Sequence, residues 1–431
     1  MEERFELKNV KGTFDFLPQE QLIRNKIMDT LKEVFALYGY LPLETPILCY
    51  YDLLASKYAG GAEILKEVYT LTDQGQRTLG LRYDLTVPFS KVLSMQKELS
   101  LPFRRYEIGK VFRDGPVKVG RNREFYQCDV DVCGIQGLGA EAELFSLALE
   151  GYKRLGIDVE LHWNNRKFLS GLMQHCSIQE EFVSKAILAV DKLEKVGKEA
   201  VLKELVDLGL VKEKIETLFS LLQLSFDEIK EKIGPDSNDL LKEGLMEIEE
   251  LTQYLKEMNI LNNCPFKPFL ARGLEIYTGT VWEIFDKEKR VTSSLGGGGR
   301  YDKIITNFIN DGNLYPAIGM CFGLEPIYEI LKNDETILKK SPYDVYLFPL
   351  EINAHIFGIA QKLRQNNIKV LLEMNRTKLK KGLDYANKNH IPYVLIIGED
   401  EIKKEKYALK DMEKGIQEEL TIENLIEKLK K

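Results

Sequence analysis

Apolar positions change period several times along the chain, and those changes outline its organisation. Ile23, Ile27, Leu31, Val34 and Tyr38 recur at helical spacing, and Gly39 follows as a stop, which predicts a helix over 19–38. The next stretch, YGYLPLETPIL, reads as extended and is punctuated by Pro42 and Pro46. From about residue 69 to 134 the runs VYTLTD, TLGLRYD, FRRYEIGKVFRD and REFYQCDVDVCGI predict strands and loops. Helical spacing returns over 139–155 and then dominates 165–262, marked by Val190, Leu193, Val196, Val201, Leu202 and Leu205. This helical stretch interrupts two strand-rich regions, so it reads as an inserted domain. Strand character resumes at Phe269 and ends in a helix near 323–332. Beyond a linker at 339–342, the runs YDVYLFPL, IKVLLEM and YVLIIG alternate with helical spacing, as in an α/β module. The expected divisions are 1–164, a helical insertion at 165–265, 266–338, and the α/β module at 343–431.

At 431 residues the chain has the length for two or three domains. Its net charge of −7 argues against wholesale coating by nucleic acid, but a local basic face is enough to bind RNA. The terminal module is slightly basic within this acidic chain, and its cluster Arg376, Lys378, Lys380 and Lys381 is the densest basic feature there. The six cysteines are scattered without zinc-finger or CxxC spacing, and the four histidines form no metal-ligand cluster. A reduced, cytoplasmic setting is expected, with no bound metal. The acidic start MEERFELKNV is unlike a targeting signal, and no apolar run approaches membrane-spanning length.

Two segments carry the most chemistry. ARGLEIYTGTVWE, at 271–283, reads as a strand bearing an arginine, a carboxylate and a tyrosine among small residues. SSLGGGGRYD, at 293–302, lacks GxGxxG spacing, but its glycines allow close backbone approach to a ligand. Arg272 and Arg300 beside that backbone suggest that an anion is handled there. Gln127 and Asp131 alternate along one predicted strand and so share a face.

ARGLEIYTGTVWE and SSLGGGGRYD together resemble the two signature segments of histidyl-tRNA synthetases, within the class II aminoacyl-tRNA synthetase family. KGTFDFLP with ETPIL resembles motif 1, where Pro46 matches a proline of the dimer interface. FRRYEIGKVFRDGPVKVGRNREFYQCDVDVCG resembles motif 2, and AIGMCFGLEPI occupies the place of motif 3. The segment from Asn375 to Met412 resembles the anticodon-binding domain. The fold this resemblance implies is α+β: an antiparallel sheet core flanked by helices, a helical insertion and a C-terminal α/β anticodon-binding domain.

The resemblance implies a histidine–tRNA ligase acting as a cytoplasmic homodimer. Its substrates would be L-histidine, ATP with Mg2+ and tRNA(His), with no tightly bound cofactor and no membrane association. Asp84 and Thr86 would hold the histidine ammonium, Gln127 the amino-acid backbone, and Asp131 and Tyr277 the imidazole, with Ile276 in the pocket wall. Arg113 would meet the α-phosphate, Arg121 and Arg123 would reach ATP phosphates, and Phe125 would stack under adenine. Arg272 would assist activation against the α-phosphate. Arg376, Lys378, Lys380 and Lys381 would face tRNA. The chain departs from the family pattern at Gly115, where motif 2 usually has an acid, and at Ile276, where a tyrosine is usual. It departs again at Pro326, where motif 3 usually has an arginine. Those departures keep two other readings in view: the histidine-sensing regulatory subunit of ATP phosphoribosyltransferase, and a duplicate resistance-type synthetase.

Overall fold

The computed structural model describes residues 6–56, 65–96, 98–118, 120–234, 237–272, 276–334, 341–375 and 377–430. Glu275, Arg376 and residues 339–340 of the expected linker lie outside them. The chain forms two compact units, Met1–Ile330 and Leu331–Lys431. No described helix is long and apolar enough to cross a membrane.

The first helix, Pro18–Leu37, opens with proline in its first turn, and Glu20 accepts a hydrogen bond from the Leu17 N–H at 2.8 Å. Its buried face is Ile23, Arg24, Ile27, Leu31, Val34 and Phe35. Tyr38 lies just past the helix end, and its hydroxyl meets Ser146 at 2.9 Å. Arg24 is the polar exception on the buried face. Its guanidinium forms a double hydrogen bond to Glu325, at 2.6 and 2.9 Å, and lies 3.8 Å from the centre of the Phe16 ring.

Strand β1 (Leu41–Pro42) is followed by β2 (Leu48–Tyr50), β3 (Thr70–Thr72) and β4 (Thr78–Leu81), which make a small sheet in the order β2-β4-β3. The main sheet joins β1 to β5 (Phe103–Phe112), β6 (Glu124–Cys133), β7 (Val159–Asn165), β8 (Thr280–Asp286), β9 (Gly296–Arg300) and β10 (Ala317–Gly323). Its order is β1-β5-β6-β10-β9-β8-β7, and every pair is antiparallel except β1 with β5. Strand β8 starts at Thr280, so Arg272 and Tyr277 precede the strand instead of lying in it, unlike the sequence expectation. The reason is visible in the pairing. Thr278 N–H donates to the Arg300 carbonyl at 2.8 Å, turning this segment over the end of β9 before pairing with β7 begins.

The helical stretch consists of consecutive helices from Arg166–His175 to Asp239–Glu257 and belongs to the first unit. The two named helices cross at a glycine pair. A Cβ on Gly171 would lie 2.5 Å from the Leu241 nitrogen, and one on Gly244 would lie 2.3 Å from the Phe168 nitrogen. Val190, Val201 and Leu205 are buried as the spacing predicts, but Val196 is exposed at the end of a one-turn helix closed by Gly197.

The second unit contains β11 (Val345–Pro349), β12 (Val370–Leu372), β13 (Tyr393–Ile397), β14 (Tyr407–Asp411) and β15 (Gln417–Leu420), ordered β12-β11-β13-β14-β15. The first three strands are parallel, as the βαβ pattern predicts. The last two add an antiparallel hairpin that the pattern does not announce. Edge strand β15 is largely solvated and charged, so it lacks an apolar signal.

Removing one partner of a buried ion pair leaves an uncompensated charge. Arg24→Ala is therefore expected to destabilise the first unit by about 3–5 kcal/mol. The urea midpoint checks this; a shift below 1 kcal/mol would show the pair to be energetically idle.

Candidate active site

The antiparallel register places odd-numbered residues of β5, β6, β10, β9 and β8 on one face. One row across the strands is Glu107, Asp129, Cys321, Gly297 and Glu283. The next row is Arg105, Asp131, Gly319, Gly299 and Val281. Three glycines thus lower the middle of this face. A Cβ on Gly297 would lie 2.6 Å from Arg272 Nη1, one on Gly299 would lie 2.5 Å from the Tyr277 ring, and one on Gly319 would fall 1.8 Å from Asp131 Oδ1. Alanine at any of them would collide with a side chain that borders the hollow.

Two connected cavities occupy it. An outer cavity of about 520 Å³ is lined by Arg113, Arg121, Phe125, Arg272, Glu67 and Pro326, among others. An inner cavity of about 170 Å³ is lined by Asp84, Thr86, Asp129, Asp131, Ile276 and Tyr277, among others. Tyr83, Arg113, Gln127, Arg272, Gly297 and Cys321 border both. The structure thus gathers Asp84, Thr86, Arg113, Gln127, Asp131, Arg272, Ile276 and Tyr277 from four separate stretches of sequence.

Each side chain is aimed by a local cause. Asp84 accepts the Val87 N–H at 3.0 Å, fixing the start of the helix Thr86–Met95 and with it Thr86. Arg113 leaves the end of β5, donates to the Tyr83 carbonyl at 3.3 Å, and sits 4.1 Å from the Tyr83 ring centre and 5.1 Å from that of Phe125. Arg121 follows the tight turn that Gly120 closes with a φ of +71°, and its backbone pairs with Lys118. Arg123 turns aside: it pairs with Asp114 at 3.0 Å and does not line either cavity. Arg272 lies 5.5 Å from the Tyr277 ring centre and 4.0 Å from Glu283.

Arg300 does not face the cavities. It forms a buried pair with Glu141, at 2.6 and 2.7 Å, and donates to the Gly137 carbonyl. The anion-handling role suggested by its sequence position is therefore corrected: its charge is consumed in holding β9 to the helix Gly139–Arg154.

Asp131 forms an ion pair with Arg105 at 2.7 Å and accepts the Tyr301 hydroxyl at 2.5 Å. Asp129, two residues earlier on the same face, escaped the sequence reading. It borders the inner cavity, and burial together with the Asp131 charge pushes its carboxyl up to about 7. The period-2 argument applied to Gln127 and Asp131 includes it equally. Burial, then Asp129, also hold the Cys321 thiol well above its ordinary value, so it stays un-ionised.

The departures at Gly115 and Pro326 have local answers. The Glu67 carboxylate fills the space beside Gly115, with Oε1 3.1 Å from where a Cβ would stand. Pro326 sits in the first turn of the helix Leu324–Leu331, and its ring lies against Gly323. Glu325 before it is committed to Arg24. In the second unit, Lys378, Lys380 and Lys381 are exposed at the start of the helix Leu379–Lys388.

The family model for histidyl-tRNA synthetase matches residues 12–327, and that for the anticodon binding domain matches 344–431. The chain is 49% identical over 425 residues to a histidine–tRNA ligase 1 of Bacillus cereus (strain ATCC 10987 / NRS 248), covering 97% of this chain and 96% of that one. Among solved structures it is similar to a histidyl-tRNA synthetase from Nostoc sp. PCC 7120, with a TM-score of 0.86, 27% identity and 99% of each chain covered. An ATP phosphoribosyltransferase regulatory subunit/histidyl-tRNA synthetase from Bacillus halodurans C shares the fold, with a TM-score of 0.75 at 23% identity over 92% of this chain and 99% of that one.

Gly319→Ala drives a methyl group into the Asp131 carboxylate and must break its contacts with Arg105 or Tyr301. A loss of about 3–5 kcal/mol is expected, as for other broken buried pairs. Urea unfolding checks it, and a neutral result would show that the carboxylate can retreat without cost.

Proposed function

The chain belongs to the histidyl-tRNA synthetase family, and we propose that it is a histidine–tRNA ligase whose two connected cavities hold the two substrates of activation. The observation carrying this reading is that Arg113, Gln127 and Arg272 border both cavities. Groups at that junction can touch an amino acid on one side and a nucleotide phosphate on the other.

L-Histidine occupies the inner cavity. Its ammonium meets Asp84 and Thr86, its carboxylate points past Gln127 to the junction, and its ring enters the deep end by Ile276, Tyr277 and Asp131. ATP occupies the outer cavity, with adenine against Phe125 and phosphates toward Arg113 and Arg121. Glu67 offers the adenine amino group a carboxylate where Gly115 has none. Mg2+ accompanies the ATP. Among the described residues no cluster of three acids, histidines or cysteines could hold a resident ion. Magnesium sites of this kind use substrate phosphates with few protein ligands, and the ion neutralises polyphosphate charge.

In the first step a histidine carboxylate oxygen attacks the α-phosphorus, and the bond to the bridging oxygen of pyrophosphate breaks. Negative charge rises on the non-bridging oxygens. Arg113 and Arg272 are fixed at the junction to stabilise it without reorganising. In the second step the terminal ribose hydroxyl of tRNA(His) attacks the adenylate carbonyl, and AMP leaves. No described side chain at the junction needs to act as a covalent nucleophile; positioning and charge carry the rate. Lys378, Lys380 and Lys381 serve as phosphate contacts for the tRNA, with Arg376 added from the sequence. The four divisions at 1–164, 165–265, 266–338 and 343–431 act as split catalytic core, insertion and anticodon-binding domain, in a cytoplasmic protein.

The working form is a homodimer. Leu7, Val10, Phe14, Leu17, Leu37 and Leu41 are all more than half exposed, and β1 is a sheet edge. So many apolar groups within one short stretch suit a second copy of the chain.

Histidine-dependent ATP–pyrophosphate exchange, with tRNA(His) charging alongside, tests the activity. Arg272→Ala is expected to lower exchange by about 10²–10³-fold, the usual loss for one transition-state donor. Near-native exchange in that variant would remove the role assigned to Arg272. Sedimentation at micromolar concentration should report a dimer of the 49.6 kDa chain. Leu17→Asp with Leu41→Asp should shift it to monomer, whereas a compact wild-type monomer would reject the dimer.

A further inference from the structure

A third cavity, of about 490 Å³, lies in the first unit and shares no lining residue with the two at the candidate active site. Its walls are the start of the helix Lys198–Asp207, the end of the helix Lys212–Leu222, the connection 223–225 that follows, and the segment 266–269 that returns the chain to the sheet. Hollows of this size commonly hold small organic ligands when an apolar lining carries a few polar groups. Here Phe219, Phe266 and Phe269 supply aromatic surface, and Lys198 and Lys267 supply charge. No aspartate or glutamate lines the cavity, although acids outnumber bases in the chain by 67 to 60.

The two lysines differ from others nearby. Elsewhere in the helical stretch Lys167 pairs with Glu247 at 2.6 Å, Lys192 with Glu204 at 2.6 Å and Lys212 with Glu216 at 3.7 Å. Lys198 and Lys267 have no ion-pair partner among the described residues. The Lys198 ammonium stands 5.5 Å from the centre of the Phe219 ring, whose negative face attracts it toward the cavity. The floor is rigid. Phe266 is packed edge-on against Trp163, Phe168 and Phe226, with ring centres 5.2, 5.6 and 5.6 Å away. The Lys267 N–H donates to the Trp163 carbonyl at 2.8 Å, and the Asn164 amide donates to the Pro268 and Leu270 carbonyls, each at 2.8 Å. A floor already fixed in this way spares a ligand much of the cost of ordering its site.

We propose that this third cavity is a binding site for a small aromatic carboxylate, its ring seated against Phe219, Phe266 and Phe269 and its anionic group held by Lys198 and Lys267. A bare inorganic anion would answer the two ammonium groups and leave the aromatic surface uncovered. A neutral aromatic molecule would cover that surface and leave the ammonium groups without a counter-charge. A ligand with both parts uses the whole lining, and its charge-assisted hydrogen bonds are the strong kind. This site is independent of the reading given to the other two cavities and stands whether or not the protein charges tRNA.

The test is calorimetric titration of the intact protein with 2-naphthoate, its neutral counterpart 2-naphthamide, and inorganic phosphate. Wild type should bind one equivalent of 2-naphthoate, with 2-naphthamide and phosphate each weaker by about tenfold or more. Lys198→Met and Lys267→Met keep an apolar stem and remove the charge, so their urea midpoints should match wild type. Each should weaken 2-naphthoate by about 10–100-fold, the usual loss for one charge-assisted hydrogen bond. In the double variant the preference for 2-naphthoate over 2-naphthamide should vanish. Undiminished 2-naphthoate binding in the double variant would place the probe elsewhere, as among the arginines of the outer cavity, and would overturn the proposal. Wild type that ignores 2-naphthoate at millimolar concentration, or that binds phosphate as tightly, would overturn it as well.

Discussion

The site depends on a hollow cut into the middle of a continuous sheet. A sheet face normally bristles with side chains at every second residue. Here Gly297, Gly299 and Gly319 leave that face bare while backbone pairing across β10, β9 and β8 continues. Each glycine costs about 0.5–1 kcal/mol relative to alanine in a regular element. That cost is offset by what surrounds the hollow: β9 is paired on both sides, and its other face packs closely, with Gly298 against Trp282 and Met320. The removed side chains make room for Arg272, Tyr277 and Asp131, which come from outside β9 and β10 and keep their positions because nothing else can fill the space.

A hollow of this kind exposes the interior to charged ligands, so charge must be divided between scaffold and site. Arg24, Arg82, Arg105 and Arg300 are buried against Glu325, Glu107, Asp131 and Glu141. These pairs tie the first helix, the segment after β4 and the helix Gly139–Arg154 to the sheet. Arg113 is held by aromatic faces and the Tyr83 carbonyl, and Arg272 by the Tyr277 ring, the Trp282 carbonyl and a long 4.0 Å ion pair to Glu283, none of them a bidentate carboxylate clamp. The cations at the cavity junction are thus less tightly paired than the scaffold arginines, whose carboxylates stand within 2.6–2.8 Å.

That division explains what the sequence could and could not disclose. Local patterns gave the first helix, the β5–β6 hairpin and the parallel strands of the second unit, because each follows from a short period. Motif resemblance also grouped Arg113, Gln127, Arg272 and Tyr277, which the structure brings together around the inner cavity. Arg300 was misread because its partner Glu141 lies 159 residues away, and Arg24 went unnoticed because Glu325 lies 301 residues away. No local period encodes such pairs. Glu67 was equally hidden, since it meets Gly115 only after the chain folds. Asp129 was different: alternation along β6 placed it on the same face as Gln127 and Asp131, but that its Oδ1 has no partner among the described residues is a property of the folded protein.

The motif departures bear on the choice between a ligase and a histidine-sensing relative. A sensor needs the inner cavity. It has no use for a second, larger cavity with arginines at 113, 121 and 272 and an aromatic at 125. Nor does it need the second unit with its match to an anticodon binding domain. Pro326 removes one cation from the edge of the outer cavity, yet proline sits without strain in the first turn of its helix and leaves the Arg24–Glu325 pair intact. Gly115 removes an acid, and Glu67 brings one to the same place. Both departures therefore change the rim of the outer cavity while the junction between the cavities is preserved. Arg113, Gln127 and Arg272, which border both cavities, are untouched by either departure.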